Sequence, residues 1–363
     1  MFWYLFALVL SMLFASAAQN LKGKSNLQVD GVTFYFRSTY NCMIGLAFLP
    51  LFVVAAIRHE VGTDWPIYLD FFKMINNGTD SFSEPLFNLA NKLVFHTAGN
   101  FQGLVVLVAF VSYFFLFKAI EEQSISMPLS LLIFFISGAF FASMNQLRQA
   151  ITMPIMLYAY RNIQAKKPIR YCFWCVIAAL IHVSSLVYLP LYFLTKFKPS
   201  LRRYVTIFVS CVIALPLLHM IAEAVIRLSK YAWYFTSFFN SGSTENNFYL
   251  IGFVFQLTML VIFAYYRFTS EVEDPLFDGM LNCYFLSVLA LLFTPVLTQV
   301  LRVSQCFGYC QILLVPRVIN REKDPTRRIV LYILIVGLYA AKLLYDTYCL
   351  GWNGVVPYQT IFG

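Results

Sequence analysis

Charge is what this sequence has least of. Only 12% of its 363 residues are Asp, Glu, Lys or Arg, where a soluble domain carries about 25%. Against that, 60% are hydrophobic and the mean hydropathy is +0.71. Lipid must replace water around most of such a chain, which excludes a cytosolic enzyme, a nucleic-acid-binding domain and a disordered scaffold. The net charge of +9 needs no nucleic acid, because basic cytoplasmic loops account for it. No zinc motif, phosphate loop or dinucleotide fingerprint is present, so we expect neither metal nor cofactor. The eight cysteines are scattered through apolar runs and imply no disulfide framework. Cys172-Phe-Trp-Cys175 has redox spacing but sits inside an apolar segment, where packing explains it.

What the chain has in abundance is apolar segments. Eleven suit membrane helices: Phe2–Ala18, Tyr40–Ile57, Phe101–Phe117, Leu129–Ser143, Leu147–Ile163, Tyr171–Leu194, Val205–Ala222, Phe248–Tyr266, Met280–Val300, Val303–Val318 and Ile329–Leu350. Ala15-Ser16-Ala17-Ala18 resembles a signal cleavage site, but the basic region such peptides need is missing, so the first segment reads as a retained helix. Basic clusters flank Tyr171–Leu194 on both sides, Arg161, Lys166, Lys167 and Arg170 before it and Lys196, Lys198, Arg202 and Arg203 after it. If every segment crosses, Lys and Arg divide almost evenly between the two faces. If Tyr171–Leu194 enters and leaves from the cytoplasmic side, about two thirds of them gather inside, as the positive-inside rule requires. The expected fold is therefore an all-α polytopic membrane protein, a single integral membrane domain with about ten transmembrane helices, outside termini and one re-entrant segment. The apex of that segment falls near Ile181-His182-Val183-Ser184-Ser185 and must face protein or a wet cavity.

Residues 58–100 then form an outer loop, which the sequence fills with interfacial helices. Thr63 or Asp64 caps the first, Pro66 lies in its first turn, and Tyr68, Phe71, Phe72 and Ile75 form its apolar stripe. Glu84-Pro85 opens the second. A second outer loop, residues 223–247, is aromatic and polar, a composition suited to sugar rings or lipid headgroups. Polar groups at membrane depth are costly and mark function. Arg58, Asn145-Gln146-Leu147-Arg148-Gln149 and Arg302 stand at outer span ends, where three arginines at one depth suit a pyrophosphate. Each also has a plain reading, a side chain reaching for headgroups. His182 lies at the re-entrant apex with no charged neighbour in sequence, which favours a chemical role over a structural one. Asp64 and Glu84 are the outer acids in the most ordered context, although Asp64 also reads as a helix cap.

Arg58-His-Glu-Val-Gly-Thr-Asp-Trp-Pro-Ile-Tyr68, Glu84-Pro-Leu-Phe87, Asn145-Gln-Leu-Arg148-Gln149, Ile181-His-Val-Ser-Ser185 and Pro357-Tyr358 resemble, in that order, the EpsG family of polytopic exopolysaccharide proteins. The resemblance covers nearly the whole chain. Trp65 stands where the family pattern usually has Tyr, and keeps an interfacial aromatic. The resemblance implies a Wzy-like polymerase that joins oligosaccharide repeat units carried on undecaprenyl pyrophosphate into an exopolysaccharide, capsule or O-antigen chain. It would act at the outer face of the bacterial inner membrane, with membrane lipids and a chain-length regulator as its other partners. Arg58, Arg148 and Arg302, with Asn145, Gln149 and Tyr68 beside them, are then the expected pyrophosphate and glycan contacts. His182, Asp64 and Glu84 are the candidates for activating the acceptor hydroxyl. Two rival functions remain at this stage: a polysaccharide O-acyltransferase, which also needs a membrane-embedded histidine, and a transporter of the lipid-linked unit.

Overall fold

The computed structural model of the chain describes residues 1–22, 32–79, 84–227, 243–295 and 300–363. Among these, seven helices are long and apolar enough to cross a membrane, and an eighth forms if one pair bent by 58° is a single span. No strand occurs among the described residues; an isolated backbone pair joins Arg58 to Thr360.

Two compact units divide the chain. The first, Met1–Leu189 with Val315–Gly363, begins with α1 (Phe2–Lys22) packed along α2 (Val32–Ala56). The segment after it supplies α3 (Trp65–Asn76) and α4 (Pro85–Ala98). The spanning helix α5 (Phe101–Gln123) follows, its first turn capped by the Asn100 side chain accepting from the Gly103 N–H. Next come α6 (Met127–Ile136), α7 (Ala139–Asn145), α8 (Leu147–Ala159), the single turn α9 (Arg161–Gln164) and α10 (Pro168–Ile181). Gly138, in the left-handed region, makes the bend between α6 and α7, and Gln146, non-helical at φ −94° and ψ 73°, separates α7 from α8. The unit closes with Pro325–Leu344 and a short turn at Trp352–Gly354.

The expected helices of the outer segment are present, with one change of cap. Asp64 takes the N-cap position of α3, but its side chain makes no capping bond. Its backbone N–H donates instead to Asn145 Oδ1 at 2.7 Å. Trp65, Tyr68, Phe72 and Ile75 form the buried stripe. With Phe87 and Val94 of α4, Leu104 of α5, Ile151 of α8 and Ile181 of α10, most of that stripe belongs to one hydrophobic cluster. Both helices are thus packed against α5, α8 and α10.

Several of the eleven expected apolar segments form shorter or divided helices. Leu147–Ile163 yields the 13-residue α8, and Val303–Val318 divides between Val300–Gly308 and Gln311–Arg321. Tyr171–Leu194 yields the 14-residue α10, which ends where His182 turns extended at φ −154° and ψ 111°. Val183–Tyr188 then forms a 3₁₀ helix. The Tyr171 hydroxyl donates to the Tyr188 carbonyl at 2.7 Å, whereas a straight helix would separate those residues by about 25 Å. The chain therefore turns back at His182.

The second unit, Pro190–Leu314, contains Leu201–Arg227, Ser243–Phe268 and Pro275–Leu292. Asn282 ties it internally: its Nδ2 donates to the Leu194 and Phe197 carbonyls at 3.3 and 2.7 Å, and its Oδ1 accepts from the Tyr204 hydroxyl at 2.6 Å. Arg267 pairs with Asp278. The helices here extend into the expected 223–247 loop, of which residues 228–242 lie outside the described residues, as does Gln299.

Candidate active site

Glu84 is a carboxylate with 5% of its surface exposed, and a buried charge persists only when it is paired. The start of α4 places it between two groups from distant parts of the chain. Arg148 Nη1 donates to Oε2 at 2.9 Å, and His182 Nδ1 lies 3.2 Å from Oε1. Arg148 reaches this point because the break at Gln146 makes it the second residue of α8. Its guanidinium lies 6.0 Å from the centre of the Tyr68 ring, where the aromatic face favours a cation. His182 reaches it because α10 stops there. Side-chain exposures of 6% for Glu84, 11% for His182 and 16% for Arg148 put all three at the edge of the protein interior.

The structure adds partners to two of the expected residues. His182, with no charged neighbour in sequence, has one in space, supplied by a residue 98 positions away. Arg148 stands engaged by a carboxylate on its own chain. A guanidinium carries five N–H donors, more than one carboxylate oxygen accepts, so the ion pair and an anionic ligand are compatible. The order cation, carboxylate, imidazole also resembles that of an oriented acid–base pair, in which the carboxylate fixes which ring nitrogen carries the proton.

Beside this cluster, the Asn145 side chain joins three segments. Its Oδ1 accepts from the Asp64 N–H and, at 3.1 Å, from the Thr63 hydroxyl, while its Nδ2 donates to Asn353 Oδ1 at 3.3 Å. Gln149, on the first turn of α8, is buried, and Asp64 is partly so.

Arg58 is placed differently from the expectation. Its side chain is 1% exposed, its Nη1 donates to the Ala55 carbonyl, and its Nε and Nη2 have no hydrogen-bond partner. The titratable groups around this cation are the hydroxyls of Tyr113, Tyr4 and Tyr358. Burial pushes its pKa down to about 10, and those three tyrosines oppose the shift.

A family model described as the EpsG family matches residues 41–360, nearly the whole chain. The chain belongs to the EpsG family. Membership supports a role of the exopolysaccharide polymerase type. Neither a curated protein nor a solved structure matches it.

The segments that carry the resemblance to EpsG are thus the ones that fold together: Thr63 to Tyr68, Glu84, Asn145 to Gln149 and His182. Arg302 belongs to the other unit, exposed on Val300–Gly308. Among the described residues, no group of three or more His, Cys, Asp or Glu is arranged to hold a metal ion. Sequence reasoning missed Asn353. Its signal was Asn353-Gly354, a dipeptide that marks a turn with positive φ, close before the Pro357-Tyr358 already singled out.

Proposed function

We propose that this EpsG member is a membrane glycosyltransferase that polymerises oligosaccharide repeat units carried on undecaprenyl pyrophosphate, at the outer face of the inner membrane. The observation that carries this reading is Glu84 bridging Arg148 and His182. Transfer joins an acceptor sugar hydroxyl to the anomeric carbon of the donor glycan and breaks the bond from that carbon to the lipid pyrophosphate. The hydroxyl proton must leave, and the pyrophosphate oxygen must take up negative charge. Arg148 lies in the first turn of a helix, where backbone N–H groups add to its own donors, and it stabilises that developing charge. His182, with its Nδ1–H given to Glu84, carries the lone pair on Nε2, the form that accepts the hydroxyl proton. Tyr68 is the aromatic surface beside the guanidinium.

The turn at His182 supports the re-entrant reading of residues 171–194. In that reading, with basic clusters on both sides of the segment, the imidazole sits at the apex of a hairpin entered from the cytoplasm. There it meets Glu84 of the outer loop. Purified protein in a bilayer, given a lipid-pyrophosphate-linked repeat unit, should release free undecaprenyl pyrophosphate as polymer lengthens. Movement of the intact lipid-linked unit without release would make the protein a transporter, and acyl transfer to the glycan would make it an acyltransferase.

A further inference from the structure

We propose that Asn353 is a positioning residue for Arg148, acting through Asn145; this rests on the reading of Arg148 as the pyrophosphate ligand. Asn353 lies at φ 65°, in the left-handed region that asparagine and glycine tolerate best. That conformation lets one residue face two segments. Its backbone carbonyl accepts from the Thr63 N–H at 3.1 Å, and its side-chain Oδ1 accepts from Asn145 Nδ2 at 3.3 Å. The orientation of the Asn145 amide is fixed by chemistry, since its other end receives the Asp64 N–H, which can only donate. A closed ring of hydrogen bonds results, running Thr63 and Asp64, Asn145, Asn353 and back to Thr63.

Two glycines bring the backbones close enough for this ring. A Cβ at Gly62 would lie 3.0 Å from the Met144 carbonyl oxygen and 3.2 Å from Asn145 Oδ1, and one at Gly354 would lie 3.2 Å from the Thr63 nitrogen. The Gly62 N–H also donates to the Gly354 carbonyl at 3.0 Å. The ring therefore grips the chain immediately before the break at Gln146, and the direction of that break decides where Arg148 points. It also holds the start of α3, the helix that carries Tyr68. Asn353 itself touches neither Arg148 nor Glu84 through any bond described above. It acts by fixing both the arginine's helix and the aromatic ring beside it.

Three variants of the full-length chain test this. Asn353→Asp keeps the acceptor oxygen and a residue type that tolerates positive φ, and should keep turnover within about threefold of the starting protein. Asn353→Gly keeps the backbone but removes the acceptor, and should lower kcat/KM for the lipid donor about five- to tenfold per folded molecule, the loss expected for one hydrogen bond. Placed on Arg148→Lys, Asn353→Gly should cost little more, because the geometry it protects is already gone; placed on His182→Gln it should cost its full amount. Amide hydrogen exchange supplies a readout besides activity: residues 145–150 should exchange faster in Asn353→Gly and unchanged in Asn353→Asp. Unchanged exchange in the glycine variant, or faster exchange with unaltered turnover, overturns the proposal. A starting protein that makes no polymer sinks the polymerase reading, and the exchange comparison then still decides for or against the ring.

Discussion

Glu84 and His182, 98 residues apart in the chain, meet at 3.2 Å in a site where the carboxylate is almost fully buried. The same carboxylate holds Arg148 at 2.9 Å. One acid thus restrains both the residue proposed to meet the leaving pyrophosphate and the residue proposed to take the acceptor proton.

Glu84→Gln separates these roles. The amide oxygen replaces one acceptor, but its NH₂ then faces one of the two partners. If it faces His182, Nδ1 must accept and the proton moves to Nε2, the tautomer that cannot act as a base. Turnover should fall about 10²- to 10⁴-fold, the usual worth of a general base, with folded protein near its normal amount. Glu84→Ala removes the carboxylate from both Arg148 and His182, so that variant should also lose folded protein. Normal polymer yield from Glu84→Gln would remove the acid–base pair from the mechanism.

Arg148→Lys keeps the charge and loses the planar fork. A single ammonium can hold Glu84 or the pyrophosphate, and is poorly shaped for both at once. We expect kcat/KM for the lipid donor to fall about 10- to 100-fold, matching the loss of a charge-assisted hydrogen bond. Steady-state kinetics on protein quantified by its folded fraction would check this. A near-normal value would leave Arg148 as the structural partner of Glu84.

The sequence made α3 and α4 legible because an N-cap, a proline and an apolar stripe are local signals, and Glu84, Arg148 and His182 stood out as polar groups in costly places. Their meeting was not legible, because no local signal joins positions 84, 148 and 182. The two breaks themselves were legible, since Gln146 lies between the expected segments Leu129–Ser143 and Leu147–Ile163 and His182 lies at the expected apex. What holds them was not, because it lies elsewhere in the fold: Asn145, one residue before the first, holds Thr63 and Asp64, and His182 itself meets Glu84. Arg58 shows what a position at a span end leaves open. Its position at a span end fits a surface cation, but Tyr4 and Tyr358, from the two ends of the chain, close around it.

Arg58→Ala should therefore act on the fold. It removes a side chain that fills space among three tyrosines and bonds the Ala55 carbonyl. The expected outcome is a lower midpoint of thermal unfolding and less folded protein, with the donor KM of the surviving molecules unchanged. Intact stability with lost activity would instead put Arg58 in contact with substrate and require the C-terminal segment, whose Tyr358 hydroxyl donates to the Val54 carbonyl at 2.8 Å, to open during the reaction.

Topology is testable apart from chemistry. Lys167 and Lys198 are both exposed, one on each side of the hairpin segment. Single cysteines at these positions, in a background cleared of the eight native cysteines, should both resist an impermeant thiol reagent applied outside intact cells. Labelling of only one would mean that residues 171–194 cross the membrane, and every later loop would change sides.

The protonation of His182 is the most direct test of mechanism. A base must be neutral to accept a proton, so polymerisation should slow on the acid side of its profile as the imidazole charges. His182→Gln can still donate a hydrogen bond to Glu84 but cannot take the proton. Its kcat should fall at least about 100-fold while donor binding changes little, and the acid limb should flatten. A purely structural histidine predicts the reverse pattern: a nearly silent glutamine variant, and an alanine variant that fails to accumulate because Glu84 has lost a partner. Polymer yield per folded molecule, followed across pH for both substitutions, separates the two. Retention of the acid limb in His182→Gln would move the base to another group, with Asp64 at the start of α3 the next residue to substitute.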